Sequence, residues 1–179
     1  MGVKVREREG MVRYLTFGLL TFLFSISMAV TAYSGQFEDA TAAYQRGDYA
    51  TAYRLFKQMA EQGHAEAQYN LGGMYAEGRS VPQDYGEATK WFRKAAEQGH
   101  AEAQYNLGGM YFRGQGVPRD FVLAHMWFNL SVSSVPASEG EKREATEIIV
   151  DLVASKMTPF QIAEAQRLAR KWKPKKEGK

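Results

Sequence analysis

The sequence predicts an all-α fold in which antiparallel helix pairs stack side by side into an α-solenoid. The first observation is an internal repeat, because residues 60–75 and 96–111 are the same sixteen letters, AEQGHAEAQYNLGGMY, displaced by 36 positions. The second observation is an aspartate that recurs at the same interval and is followed by an aromatic residue, at Asp48, Asp84 and Asp120. Repeats spaced by roughly 20–50 residues are typical of stacked arrays, which usually work as binding surfaces.

Each repeat unit predicts two helices, called A and B. Helix A is expected to begin near His64 or Ala65 and to end near Gly78, because glycine can adopt the left-handed conformation that terminates a helix. Helix B is expected to begin after Asp84, whose carboxylate can accept backbone N–H bonds at the positive helix end. The buried face of helix A and of its copy is expected to hold Ala67, Gln68, Leu71, Gly72, Tyr75, Ala103, Gln104, Leu107, Gly108 and Tyr111.

Helix B carries the large aromatic residues expected in the core. Trp91 and Phe92 fall on the apolar face of the middle copy, and Trp127 and Phe128 occupy the same positions one repeat later. Inside helix A, Gly72 costs about 1 kcal/mol relative to alanine. Since this glycine occurs in both copies, we expect another backbone to approach it closely.

The complete unit reads A-x-A-Q-x-x-L-G-x-x-Y-x-x-G-x-G-V-x-x-D-x-x-x-A-x-x-W-F over residues 101–128, and residues 65–92 match it except at Ser80. This pattern resembles the Sel1-like repeat, a relative of the tetratricopeptide repeat. The resemblance implies a solenoid whose helices A line the concave side. Because serine tolerates a positive φ poorly, the loop around Ser80 is expected to differ in shape from the loop around Gly116.

The pattern divides the chain into four regions. The two predicted helices after the repeats are expected to shield the open end of the stack with apolar residues that include Ile148 and Leu152. The expected boundaries are 1–32 for a signal peptide or N-terminal anchor, 33–134 for the repeats (a degenerate first unit at 37–60 and further units at 61–96 and 97–132), 135–173 for the capping helices and 174–179 for a basic tail.

The first 32 residues have the layout of a secretory signal. A basic start is followed by an apolar run from Tyr14 to Val30, and small residues then favour cleavage before Tyr33. The run is short for a comfortable membrane span of about 20 residues, and an uncleaved anchor is the alternative. The expected location is therefore the periplasm or the outside of a bacterial cell, with membrane contact only through this segment if it is not cleaved.

The positions of helix A opposite its buried face predict a binding surface for a protein or peptide partner. Asparagine can hydrogen-bond to a peptide backbone, and tyrosine can stack on side chains. The alternative is that these are ordinary exposed residues copied by duplication. The candidate residues are Glu66, Tyr69, Asn70, Gly73, Glu102, Tyr105, Asn106 and Gly109.

The composition argues against several other functions. Residues 33–169 hold 13 basic and 17 acidic side chains, which argues against a nucleic acid partner. The chain has no cysteine, and its three histidines lack metal-ligand spacing, so we expect neither a metal site nor a cofactor. No S-x-x-K motif or convincing Ser-His-acid set is present, so the chain is not expected to be an enzyme.

The sequence thus predicts an exported scaffold whose helix-A face binds a protein or peptide. Two alternatives stay open. One is a cell-envelope enzyme or cell-wall ligand binder of the β-lactamase-like kind, since some cysteine-rich secreted Sel1-like proteins have been linked to penicillin binding or hydrolysis. The other is a self-associating structural module whose helix-A face packs on a second copy.

Overall fold

The computed structural model describes residues 35–136 and 138–175 of the 179-residue chain. The predicted signal segment, residues 1–32, lies outside the described residues, as do the last four residues of the predicted basic tail. None of the helices in the described ranges is both long and apolar enough to cross a membrane.

The described residues form helices and no strand, which confirms the all-α prediction. Odd-numbered helices α1, α3 and α5 are the helices A of three successive units, and α2, α4 and α6 are the helices B. The helices are α1 (35–45), α2 (Tyr49–Glu61), α3 (Ala65–Glu77), α4 (Tyr85–Glu97), α5 (Ala101–Arg113), α6 (Phe121–Ser134), α7 (Gly140–Ala154) and α8 (Pro159–Lys171).

Aspartate caps begin the helices B, as the sequence predicts. Asp84 Oδ1 accepts hydrogen bonds from the backbone N–H groups of Gly86 at 2.8 Å and Glu87 at 3.0 Å. Asp48 and Asp120 cap α2 and α6 in the same way. Each carboxylate thereby satisfies donors that would otherwise have no partner within the helix.

Left-handed residues shape the loops between helices A and B. Gly78 and Gly114 end α3 and α5 with φ of 71° and 70°. Ser80 has a φ of 67° and Gly116 a φ of 69°, so the predicted difference between the two loops is wrong. The exposed Ser80 side chain has room, whereas a Cβ atom at Gly116 would lie 2.0 Å from the carbonyl oxygen of Tyr85.

Each helix packs on the next one along the chain from α2 to α6, which is the arrangement of a solenoid. Helices α7 and α8 then both pack on α6. Val153 of α7 is buried with Phe128, while Trp172, just after α8, packs on the neighbouring cluster.

Because α8 does not cover the outer face of α7, Ile148 and Leu152 are 64% and 50% exposed. The expectation that these two residues shield the end of the stack is wrong.

The aromatic residues of helix B form the core, as predicted. Trp91, Phe92, Trp127 and Phe128 are all buried. Trp91 packs in the cluster shared with α1, α2 and α3, whereas Phe92 packs in the following cluster with Trp127. Neighbouring side chains of one helix therefore join successive units.

The buried face of helix A holds methionine where tyrosine was expected. Met74 and Met110 are buried, whereas Tyr75 and Tyr111 are only half-buried. Each tyrosine keeps its hydroxyl near a polar partner, as in the 2.9 Å contact between the hydroxyls of Tyr53 and Tyr75. Burial and this contact raise the pKa of Tyr75 above its ordinary value.

The glycines inside helix A are approached by aromatic rings, not by another backbone as the sequence suggested. A Cβ atom at Gly72 would lie 2.8 Å from a ring carbon of Phe92. At the equivalent position, a Cβ atom at Gly108 would lie 3.1 Å from the Phe128 ring. A side chain at residue 72 would therefore force the Phe92 ring to shift, and one at residue 108 would require a smaller movement of the Phe128 ring.

The chain after α8 returns to the middle of the stack. The Trp172 ring meets the Trp127 ring edge-on, with 6.3 Å between centroids. Farther on, the backbone N–H of Lys175 donates to the carbonyl oxygen of Glu97 at 2.7 Å, and its ammonium lies 2.7 Å from the Glu97 carboxylate. Residues 172–175 are thus attached to the C-terminal end of α4.

Two adjacent glycines give a matched test of the packing. Gly72→Ala should destabilise the protein by about 1–3 kcal/mol, because the new methyl group meets the Phe92 ring. Gly73→Ala should be neutral or stabilise by up to about 1 kcal/mol, because no heavy atom lies within 4 Å of its Cβ position and alanine favours a helix. Urea unfolding followed by circular dichroism measures both, and equal effects would contradict the ring contact.

Candidate partner-binding groove

The face formed by α1, α3 and α5 carries a groove of about 500 Å³, here called the helix-A groove. Small residues on the outer side of α3 leave this space open, and aromatic residues from both helix types form its walls. Its lining residues are Tyr44, Tyr69, Asn70, Gly73, Ala76, Glu77, Tyr85, Phe92, Asn106, Met110, Arg113 and Gln115.

A second cavity of about 290 Å³ lies where α3, α5, the end of α6 and α7 meet, and we call it the α5–α7 pocket. Tyr69 and Asn106 line both cavities, so the two are adjacent. The pocket residues are Tyr69, Ala101, Glu102, Tyr105, Asn106, Ser131, Val135, Lys142, Ala145 and Thr146.

Six of the eight residues that the sequence proposes for partner binding line one or both cavities, namely Tyr69, Asn70, Gly73, Glu102, Tyr105 and Asn106. Glu66 lines neither cavity, although it is exposed at the start of α3. Gly109 is buried, because the guanidinium of Arg113 folds over it, 3.0 Å from its Cβ position. The expectation that Gly109 is an outward, accessible position is therefore wrong.

The two equivalent tyrosines have different surroundings. The Tyr69 ring stacks on His100, with 4.8 Å between centroids and 20° between planes. His100 Nε2–H donates to a Glu66 carboxylate oxygen at 2.8 Å, while its Nδ1 accepts from the backbone N–H of Ala103. No such histidine follows in the next unit, and Tyr105 remains 38% exposed. Tyr69 consequently joins two repeats, whereas Tyr105 is the more accessible ring.

The two equivalent asparagines also differ. The side-chain amide of Asn70 donates to the backbone carbonyl of Glu66 at 2.8 Å, which leaves mainly its carbonyl oxygen for other partners. In the part of the chain that the structure describes, the side chain of Asn106 makes no hydrogen bond. Asn106 therefore offers both an amide donor and a carbonyl acceptor at the junction of the two cavities.

A charged contact connects α5 with α7 at the rim of the α5–α7 pocket. Lys142 Nζ lies 2.6 Å from Glu102 and 3.1 Å from Glu139. Partial burial alone would raise the pKa of Glu102, but the hydrogen bond and charge of Lys142 outweigh it and hold that pKa below its usual range. The hydrogen bonds to Glu102 and Glu139 raise the pKa of Lys142 in turn.

The three repeat units match a known protein family. Residues 35–64, 65–100 and 101–133 each match the model of the Sel1 repeat, and together they make up more than half of the chain. The chain belongs to the Sel1 repeat family. Proteins of this family are typically protein-interaction scaffolds rather than enzymes.

Solved structures share the fold. A protective antigen present in uropathogenic Escherichia coli strains, which displays an SLR fold, superposes with a TM-score of 0.66 at 32% identity, over 78% of this chain and 29% of that chain. A Sel1 repeat protein from Oxalobacter formigenes superposes with a TM-score of 0.54 at 35% identity, over 63% of this chain and 88% of that chain.

Among curated proteins, the mouse DAP3-binding cell death enhancer 1 is 36% identical over 63 residues, which is 35% of this chain and 11% of the mouse protein. The matched part therefore spans about a ninth of this curated relative, and the similarity does not extend to the remainder of the longer chain.

The family matches start each Sel1 unit at helix A. The second and third units begin at residues 65 and 101, where the sequence division above begins them at 61 and 97. The first unit, matched over residues 35–64, has only residues 46–48 between its two helices, so it lacks the long A–B loop of the other units.

Sequence reasoning did not anticipate the contributions of α1 and α7 to the cavities. Tyr44 of α1 lines the helix-A groove, and its hydroxyl donates to Glu77 at 2.9 Å. Because Tyr44 lies in the first repeat unit, its place in the repeat pattern could have identified it as a lining residue. The α7 residues Lys142, Ala145 and Thr146 carry no repeat signature, so nothing in the periodic pattern placed them beside α5.

His125 is the buried histidine among the residues that the structure describes, and it contacts other parts of the fold. It lies inside α6, where its Nδ1 contacts the Asn129 amide at 2.8 Å. Burial lowers the pKa of His125 below its ordinary value of 6.5, with Asp151 opposing the shift to a smaller extent. In the described ranges, no three histidine, aspartate or glutamate side chains come together in a metal-binding group.

This lowered pKa predicts a loss of stability in mild acid. Below pH 6.5 the unfolded chain binds a proton at residue 125 more readily than the folded protein does, so the free energy of unfolding falls as the pH decreases. His125→Gln should lose less stability than the original protein between pH 7.5 and 5.5. Melting temperatures at several pH values measure this difference, and parallel pH profiles would contradict it.

Proposed function

We propose that this protein is an exported scaffold that holds an extended segment of a protein partner in the helix-A groove. The observation that carries the proposal is the unpaired Asn106 amide at the junction of two cavities. A partly exposed amide without an internal partner can bond to both the N–H and the C=O of a bound backbone. A groove of about 500 Å³ is large enough for several residues of an extended chain.

The remaining groove residues give the bound segment its direction and side-chain contacts. Tyr105 supplies an accessible ring beside Asn106, and Asn70 supplies a carbonyl oxygen one repeat earlier. Tyrosine is favoured in binding surfaces because it offers a large contact area with few rotatable bonds. Gly73 keeps the space between the two repeats open.

Two variants test the groove without disturbing the core. Asn106→Ala removes the free amide, and Gly73→Leu places a side chain in the open space. Each should reduce partner capture from a cell-envelope extract by about tenfold, which corresponds to about 1.4 kcal/mol of binding free energy. The measurement is a pull-down quantified by mass spectrometry, with circular dichroism to show that the variants stay helical.

Gln58→Leu is the control, because Gln58 is exposed on α2 and lines neither cavity. Tyr69→Ala is a poor probe, since loss of the stacking on His100 would also weaken the contact between repeats. Undiminished capture by both groove variants would mean that the partner binds elsewhere.

We propose export on the basis of residues 1–32, where a basic start, an apolar run and small residues follow one another. Cleavage before Tyr33 would give a mature protein of residues 33–179. Intact-mass measurement of the protein made in bacterial cells should find this species in the periplasmic fraction. A full-length mass in the membrane fraction would instead indicate an anchor, and full-length protein in the cytoplasm would contradict export.

A further inference from the structure

The α5–α7 pocket differs in character from the helix-A groove. Ala101, Tyr105, Val135 and Ala145 give it mainly apolar walls, and Lys142 at its rim is already paired with carboxylates. Helix α7 supplies one wall and belongs to no repeat. The pocket is small enough to suit a single large side chain more than a length of backbone.

An exposed apolar stripe continues from this pocket along α7. Ala145, Ile148 and Leu152 follow one another at intervals of three and four residues, which places them on one face of the helix. Ala145 lines the pocket, and beyond it Ile148 and Leu152 are 64% and 50% exposed. Contiguous exposed apolar surface next to a pocket is typical of an interaction site.

The surface at the start of the stripe, next to the pocket, is acidic, whereas the exposed Lys156 lies four residues after Leu152 at the other end. Glu141 and Glu144 lie seven and four residues before Ile148, on the same side of α7, and both are exposed. Among the residues that the structure describes, neither forms an ion pair. The two basic residues between them are already engaged, Lys142 by Glu102 and Arg143 by Glu147 at 3.2 Å.

We propose that the α5–α7 pocket and the stripe on α7 select a partner segment that combines a large apolar side chain with nearby lysine or arginine. The apolar side chain fills the pocket beside Tyr105 and Ala145, and the positive charges meet Glu141 and Glu144. This inference rests on the proposed function, since it specifies the partner of the same face. A two-fold symmetric contact with a second copy of the chain would bring the same acidic surface against this one, which like-charge repulsion disfavours.

Site-specific photocrosslinking of the full chain in its native cells tests the proposal. p-Benzoylphenylalanine replaces Ile148 in one variant and Arg113, an exposed residue that lines the helix-A groove, in another, and mass spectrometry identifies the crosslinked peptides. Ile148 is exposed, so its replacement leaves the core intact. Peptides captured from position 148 should carry an aromatic or large aliphatic residue with lysine or arginine within about four residues, the reach of one helical turn.

Reversing the charge of the two glutamates tests quantitatively whether their charge contributes to binding. Combining Glu141→Lys and Glu144→Lys should reduce the crosslinking yield at position 148 by about fivefold, because two attractions become repulsions. Glu61→Lys, on the exposed side of α2, makes the same type of change away from both cavities and should leave the yield within about twofold, as expected for a remote surface charge.

The outcomes separate the two proposals. Capture at position 113 together with acidic or uncharged peptides at 148, or with a crosslinking yield at 148 that charge reversal does not change, would overturn this inference and leave the groove proposal standing. Crosslinks from 148 to residues 1–32 of the same chain would also overturn it. Failure of capture at both positions would end both proposals.

Discussion

The packing of the second and third repeat units depends on the contact between a glycine of helix A and the phenylalanine ring of the helix B that follows it. At Gly72 and Gly108 the absence of a side chain lets the rings of Phe92 and Phe128 lie directly against the helix backbone. The adjacent tryptophan then points into the preceding cluster, as Trp91 does. Helix B thus fills two interfaces at once, and each unit needs its neighbour to bury its apolar surface.

Buried glutamines fix the register of the units once this packing is in place. The Gln68 amide donates to the carbonyl oxygen of Ala60 at 3.1 Å, and the Gln98 amide bonds both to Gln68 and to the carbonyl of Gly63. One repeat later, Gln104 makes the equivalent bond, and Ser134 occupies the position of Gln98 and donates to Gln104. Because an unpaired buried amide is costly, a shift by one residue would be strongly disfavoured.

Sequence reasoning recovered the part of the structure that repeats. Aspartate caps such as Asp84, the left-handed Gly78 and the buried Trp91 all follow from local rules that depend little on distant residues. Errors arose where the course of a long side chain or the placement of a neighbouring helix decides the outcome. The Arg113 side chain folds back over Gly109, one turn earlier in the same helix, and α8 packs on α6 instead of covering Ile148.

The candidate site was predictable to a similar degree, because its repeated residues line the cavities while its α7 wall has no repeat signature. The identical sequence of the two helices A does not produce identical surfaces. Helix α3 is followed by a unit that supplies His100, so Tyr69 is covered and the Glu66 carboxylate is occupied. Helix α5 instead has α7 beside it, and α7 supplies Lys142 and a largely apolar wall.

The equivalent tyrosines therefore differ: Tyr69 packs between two repeats, whereas Tyr105 remains accessible. Duplication alone would have given this protein two equivalent half-sites along its helix-A face. The change of neighbour after the last repeat makes them different, since a side chain on a solenoid is exposed only to the extent that the next unit leaves it uncovered. The junction of Tyr105, Asn106 and α7, where the repeats end, is therefore the part of the proposed binding face that differs most from a simple copy of the preceding unit.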